Sequence, residues 1–276
     1  MNELTVKKDL NFEIVLTKMN LSTQTMKTYI ESMNNYEKYC KINEFPADLD
    51  SLKAWIKDAK NPNTQAVYTA AAKKVFSEIM KGDPRLAEFK TELSDIKKVK
   101  RDLSIQKSKY LTRAEVDTLV EVASERVGLV IKMLFITGLR ISELLNIKTK
   151  DCVKIEEGKA IEIPVLGKGS KMRTVYIDNK LFEKVIEVFN DESGFLFSHD
   201  CKKYNAQAMT TAIRKASLKI GKDISAHSLR HSRAYDLMDK EVSLDKVSKF
   251  LGHSSISTTA DSYLHLKPTL KELGVI

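Results

Sequence analysis

In the stretch AHSLRHSRAYD, residues 226–236, His227, Arg230 and His231 are spaced by three and then by four. On a helix such residues share one face. Potential cations grouped in this way are unfavourable unless an anion, or an acid from elsewhere in the chain, compensates them; satisfied core histidines would give the same pattern. Other positions offer related groups. Arg140, in FITGLRISELLNI, sits among residues that otherwise read as a buried helix face and has Glu143 three positions on, which by itself reads as a surface ion pair. Lys168 lies in GKGSK, where a solvated turn lysine is the ordinary explanation, and the GxxxxGK[ST] spacing of a phosphate-binding loop is absent. His253 follows Gly252 at a helix end, and Tyr263 lies in STTADSYLHL, where a core aromatic is unremarkable. Taken together, cations and a phenol can act on an anion.

Bulk composition agrees with an anionic partner. The 276 residues carry a formal charge of +9, which favours a polyanion, nucleic acid before a membrane surface. With 42% hydrophobic residues, one large or two modest domains can bury real cores. Cys40, Cys152 and Cys201 are far apart and odd in number, against both a disulfide framework and a zinc site. A cytoplasmic location fits. The N-terminus MNELTVKKDLNFEIV lacks the apolar run of a signal peptide, and VGLVIKMLFITGL is too short to span a bilayer.

The elements that must position these groups are mainly helical. In LSTQTMKTYIESMNNYEKYC, Ser22 is a cap, and Met26, Tyr29, Ile30, Met33 and Tyr36 recur at helical spacing. Further helices fit DLDSLKAWIKDA and NTQAVYTAAAKKVFSEIM, with Pro46, Pro62 and Pro84 at the interruptions. SDIKKVKRDLSIQKSK reads as a basic linker, either solvated or in contact with phosphates. Thr112 and Glu115 then form a capping box that opens a new domain. AIEIPV and RTVYI flank LGKGSKM as two strands around a turn. Helices return at LFEKVIEVF, AMTTAIRKASLKI, the stretch carrying His227, and SLDKVSKFLG, which Gly252 ends. The expected fold is mainly α with a small β element, in two domains: 1–98 helical, 99–109 linker, and 110–276 an α+β unit.

Read in order, Arg140, Lys168, His227, Arg230, His253 and Tyr263 resemble the tyrosine recombinase and phage integrase family. GLRISEL is similar to that family's first arginine box, HSLRHS to its H-x-x-R box, and LGHSSISTTADSY to its terminal Gly-His box with the nucleophilic tyrosine. The resemblance spans about 110–268; residues 15–95 are similar in organisation to the family's helical core-binding domain. It departs at one point, since family members commonly place the tyrosine nine residues after the histidine and here His253 to Tyr263 is ten. The extra residue lies in TTADSY and alters the local loop. Tyr235 is the fallback nucleophile, but it follows the H-x-x-R box too closely.

The resemblance implies that Tyr263 attacks a DNA phosphodiester and becomes joined to the 3′ phosphate, releasing a 5′ hydroxyl. It implies that Arg140 and Arg230 hold the non-bridging oxygens, that Lys168 protonates the leaving oxygen, that His227 and His253 assist proton transfer, and that Glu143 braces the site. No metal, ATP or other cofactor is expected, and the sequence has no carboxylate cluster of the kind a two-metal nuclease needs. The implied partner is double-stranded DNA, bound by a homotetramer on two sites, either alone or with a related recombinase or accessory protein. LHLKPTLKELGVI, with Leu264, Leu266, Leu270 and Leu273, is a candidate contact between subunits or within one. Few residues precede the first core-binding helix, so a compact Xer-type enzyme or a small integrase of a mobile element fits better than a larger integrase with an arm-binding domain. The alternatives are a DNA-binding regulator that has lost the chemistry, and a type IB topoisomerase or telomere resolvase.

Overall fold

The computed structural model describes residues 12–96, 110–167, 172–189 and 191–252. The chain divides into two compact units, Met1–Asp102 and Leu103–Ile276. The stretch read as a linker, 99–109, lies outside the described residues, and so does the C-terminal tail from 253.

Helices of the first unit begin where the sequence supplies caps. After α1 (Phe12–Thr17), Ser22 accepts the Thr25 N–H and opens α2 (Thr23–Asn43). Asp48 and Ser51 cap each other reciprocally at the start of α3 (Leu49–Asp58). Asn61 caps α4 (Pro62–Ile79), whose first residue is a proline, and α5 (Leu86–Ser94) follows. The apolar stripes meet in a core of Phe12, Leu16, Met33, Leu52, Ile56, Val75, Phe76 and Phe89. Tyr36 is fully buried, and its hydroxyl bonds Ser51 Oγ at 2.8 Å and the Asp48 carbonyl at 3.1 Å. Burial first of all pushes its phenol pKa well up. Beside it Trp55 stacks on Tyr68, centroids 3.9 Å apart, and donates to Asn35 Oδ1 at 2.8 Å.

In the second unit, the Thr112 and Glu115 capping box opens α6 (Arg113–Val122). The helix α7 (Glu125–Thr137) is buried on most sides and forms the centre of the core. It ends at Gly138, which is left-handed at φ 62°, and a one-turn helix α8 (Ile141–Leu144) follows. Arg140 is therefore the N-cap residue of a separate turn and not part of a continuous buried helix face, because the left-handed glycine stops α7 two residues earlier.

The sheet runs β1 (Val153–Ile155), β2 (Ala160–Leu166) and β3 (Met172–Asp178) in that antiparallel order. β2 and β3 are the strands expected from AIEIPV and RTVYI. β1 has only three residues, too few to show an alternating pattern. Inward-facing Ile161, Ile163, Val165, Val175 and Ile177 pack on the α7 core. Then come α9 (Asn179–Phe189), a two-residue hairpin β4 (Ser198–His199) and β5 (Lys202–Lys203), α10 (Ala206–Leu218), α11 (Ala226–Asp239) and α12 (Leu244–Leu251). Gly252, left-handed at φ 69°, ends α12. Among the described residues no helix is long and apolar enough to cross a membrane.

Trp55 is the single tryptophan of the sequence and its ring lies 5.3 Å from that of Tyr36, so its fluorescence reports on the first unit. Tyr36→Phe removes one buried hydroxyl whose partners keep other bonds, and it should cost about 1 kcal/mol. A lower urea midpoint of the tryptophan signal with an unchanged slope is the expected result; an unchanged midpoint would show that the hydroxyl network adds nothing.

Candidate active site

α11 carries the opening cluster as the spacing requires. Ser225 and Ser228 form its capping box, which orients the first turn, and the rings of His227 and His231 meet edge to face at 4.6 Å. Tyr110 packs on His231 at 5.9 Å and on Tyr235 at 6.1 Å. The acid in this stretch, Asp236, is committed elsewhere. It pairs with Arg113 at 3.0 Å, Arg233 at 2.5 Å and Lys240 at 3.1 Å, and Arg233 in turn lies over the rings of Phe135 and Phe250.

Arg230 is buried and only 1% exposed. Its Nη1 donates to the Gly138 carbonyl at 2.7 Å and its Nη2 to the Leu251 carbonyl at 2.6 Å. Both carbonyls belong to helix C-termini, where the backbone is partially negative. The compensation missing from the sequence is thus partly internal, supplied by the ends of α7 and α12. The same contact positions both exits from those helices, one leading to Arg140 and the other to His253.

Gly138 is required at its position. A Cβ there would stand 2.8 Å from Leu251 Cδ2 and 3.0 Å from the Phe250 ring, far inside contact distance, and φ is positive.

Arg140 leaves this corner with its backbone N–H donating to Glu143 Oε2 at 2.8 Å and its Nη1 to Oε1 at 2.7 Å. Its side chain stays 31% exposed. Glu143 is buried, and a residue that sequence reasoning missed holds its other side: Arg173 donates Nη2 to Oε2 at 2.6 Å and Nη1 to Oε1 at 3.2 Å. Burial raises the Glu143 pKa, but the hydrogen bonds from Arg173 and Arg140 outweigh it and hold the carboxyl below its ordinary value. The signal for Arg173 was present in RTVYI, since alternation puts it on the strand face of Val175 and Ile177, where a charge is out of place.

The structure therefore brings Arg140, Glu143, His227 and Arg230 together and adds Arg173. Lys168, His253 and Tyr263 lie outside the described residues, although the chain reaches Gly252 beside Arg173. Among the described residues no group of three or more His, Cys, Asp or Glu could hold a metal ion.

Packing around the His227 ring lowers its pKa first, and the charges of Arg230 and Arg140 lower it further, so the imidazole is neutral at pH 7 even though the residue keeps an open side. A lowered histidine favours the folded state fully above about 6.5, and that contribution is lost as the pH falls through this value toward the folded pKa. Glu143 acts in the same direction at lower pH: its contribution is present above the ordinary carboxylate value and is lost as the pH falls through its lowered one. In an NMR titration His227 should therefore titrate below 6.5, and Arg140→Gln should bring it back toward that value. Titration at or above 6.5 in the parent protein would contradict this electrostatic account.

Residues 109–269 match the model of the phage integrase family. The tyrosine recombinase XerA of Pyrococcus horikoshii is 30% identical over 236 residues, covering 83% of this chain and 78% of that protein. Among solved structures, the XerH site-specific recombinase bound to palindromic difH substrate, a post-cleavage complex, superposes with a TM-score of 0.72 at 24% identity, covering 96% of this chain and 83% of that one. A lambda integrase tetramer bound to a Holliday junction gives 0.72 at 16% identity, covering 94% and 77%. At these identities the two structures speak to the fold alone. The family match and the archaeal relative decide the assignment: the chain belongs to the phage integrase family and is a site-specific tyrosine recombinase.

Proposed function

We propose that the enzyme cleaves and rejoins DNA through a 3′-phosphotyrosyl intermediate formed on Tyr263, with Arg140 and Arg230 holding the non-bridging oxygens of the scissile phosphate. The observation that carries this reading is the convergence around His227. The charges of Arg140 and Arg230 both act on its imidazole, and Arg230 bonds the carbonyl of Gly138, two residues before Arg140.

In the forward step the phenol oxygen bonds to phosphorus as the bond to the 5′ oxygen breaks. The phenol proton needs an acceptor, and a neutral His227 can take it where an imidazolium could not. His253 assists and hydrogen-bonds the phosphate. Lys168 gives a proton to the departing 5′ oxygen. The guanidinium charges offset the negative charge that grows on the phosphoryl oxygens, and Glu143 braces Arg140 without reacting. Because the tyrosyl link keeps the energy of the broken bond, a second strand's 5′ hydroxyl can reverse the step without ATP, which separates strand exchange from hydrolysis.

The first unit serves as the core-binding domain, and the protein holds duplex DNA mainly through contacts to the phosphate backbone, whose strength falls with salt. A homotetramer on two sites is the working assembly, in the manner of the tetrameric lambda integrase complex. The enzyme resolves DNA dimers in the cytoplasm, as an Xer-type recombinase, or integrates and excises a mobile element.

A nicked suicide duplex that loses its short 5′-hydroxyl fragment traps the covalent intermediate. The parent protein should form an adduct, and Tyr263→Phe should form none while binding the same DNA with unchanged affinity, since one hydroxyl is lost. An adduct formed by Tyr263→Phe would show that another residue, Tyr235 first among them, is the nucleophile. Absence of an adduct from the parent protein would favour a regulator without the chemistry.

A further inference from the structure

We infer that Arg173 is a positioning residue for strand cleavage: it engages Glu143 so that the carboxylate cannot close on Arg140, and it seats the backbone of Gly252, the residue ahead of His253. This rests on the reading of Arg140 as a phosphate-holding group.

Glu143 offers two oxygens, and each takes one donor from Arg140 and one from Arg173. An arginine and a carboxylate left to themselves favour a two-bonded fork that uses up an edge of the guanidinium. Here Arg173 makes that fork, with Nη1 and Nη2 on the two oxygens. Arg140 is held instead through Nη1 and its backbone N–H. Its Nε and Nη2 make no hydrogen bond among the described residues, so an edge of the guanidinium remains for a phosphate. Without Arg173, rotation of the Glu143 carboxylate would let it fork Arg140 and neutralise the charge that the phosphate requires.

The second observation lies on the opposite side of Arg173. A Cβ on Gly252 would stand 3.0 Å from its Cδ, 3.0 Å from its Nη1 and 3.1 Å from its Cζ, so the Gly252 backbone lies directly against this side chain. Arg173 also pairs across the sheet with Val165 and follows Lys168 by five residues on the same hairpin. Its Nε is buried with no hydrogen-bond partner among the described residues. One side chain thus bonds Glu143 and lies against Gly252, the residue ahead of His253.

The test uses the full-length protein and two suicide substrates, one with an ordinary scissile phosphate and one with a methylphosphonate there, which is neutral and depends less on Arg140. Arg173→Met, similar in length and uncharged, should lower the single-turnover rate of adduct formation on the phosphate by about tenfold or more. DNA affinity should change far less, and the deficit should shrink on the methylphosphonate, as it should for Arg140→Ala. Arg173→Lys keeps the charge without the fork and should fall between, which decides the matter if Arg173→Met does not fold. Equal losses on both substrates, or parent-like cleavage by the variant, would overturn the inference. Parent-like cleavage by Arg140→Ala would instead overturn the underlying reading of the site.

Discussion

Positive charge has to be concentrated at one corner of the catalytic unit without pushing that corner apart, and the rest of the unit is arranged around this constraint. Arg140, Arg173 and Arg230 are three such charges, and one buried carboxylate cannot compensate all three. The fold divides the task. Glu143 accepts from Arg140 and Arg173, and the negative ends of α7 and α12 accept from Arg230. Peptide carbonyls at a helix end compensate a guanidinium without introducing an ionisable acid beside the reacting phosphate.

That solution explains local features that otherwise look unrelated. α7 must end where its carbonyls can meet Arg230, and the left-handed Gly138 ends it there while leaving room for the Leu251 side chain. A short new helix must begin at once so that its N-cap residue, Arg140, faces Glu143 three positions on. α12 must stop with its last carbonyl exposed to Arg230, which Gly252 permits. Packing around the His227 ring, reinforced by the charges of Arg230 and Arg140, lowers its pKa and so favours the neutral form able to accept a proton. Charge compensation and proton chemistry are two results of one arrangement.

Local rules carried much of the fold. Ser22, Asp48 and Thr112 begin helices because their side chains accept a backbone N–H in the first turn, an interaction within a few residues. β2 and β3 were visible through alternation, whereas β1 and the β4–β5 hairpin were too short to carry a pattern. The apparent continuity of FITGLRISEL misled for a related reason. The α7 residues ahead of the break are apolar on nearly all sides because that helix is buried on most sides, so periodicity could not mark the break that Gly138 makes.

The sequence by itself determined the types and order of the chemical groups, the helical character of the chain and the caps that begin its helices, because these depend on side-chain identity and on neighbours within a turn or two. Only the tertiary structure decided where the charges go. Arg230 finds its partners 92 and 21 residues away, and Arg173 meets Glu143 across 30. Contacts over such separations arise from packing α7, α11 and β3 onto one core and α12 against α11 in a small cluster beside it, and no local propensity encodes them. The face that looked uncompensated in one dimension proved in three to have a buried arginine answered by the ends of two other helices.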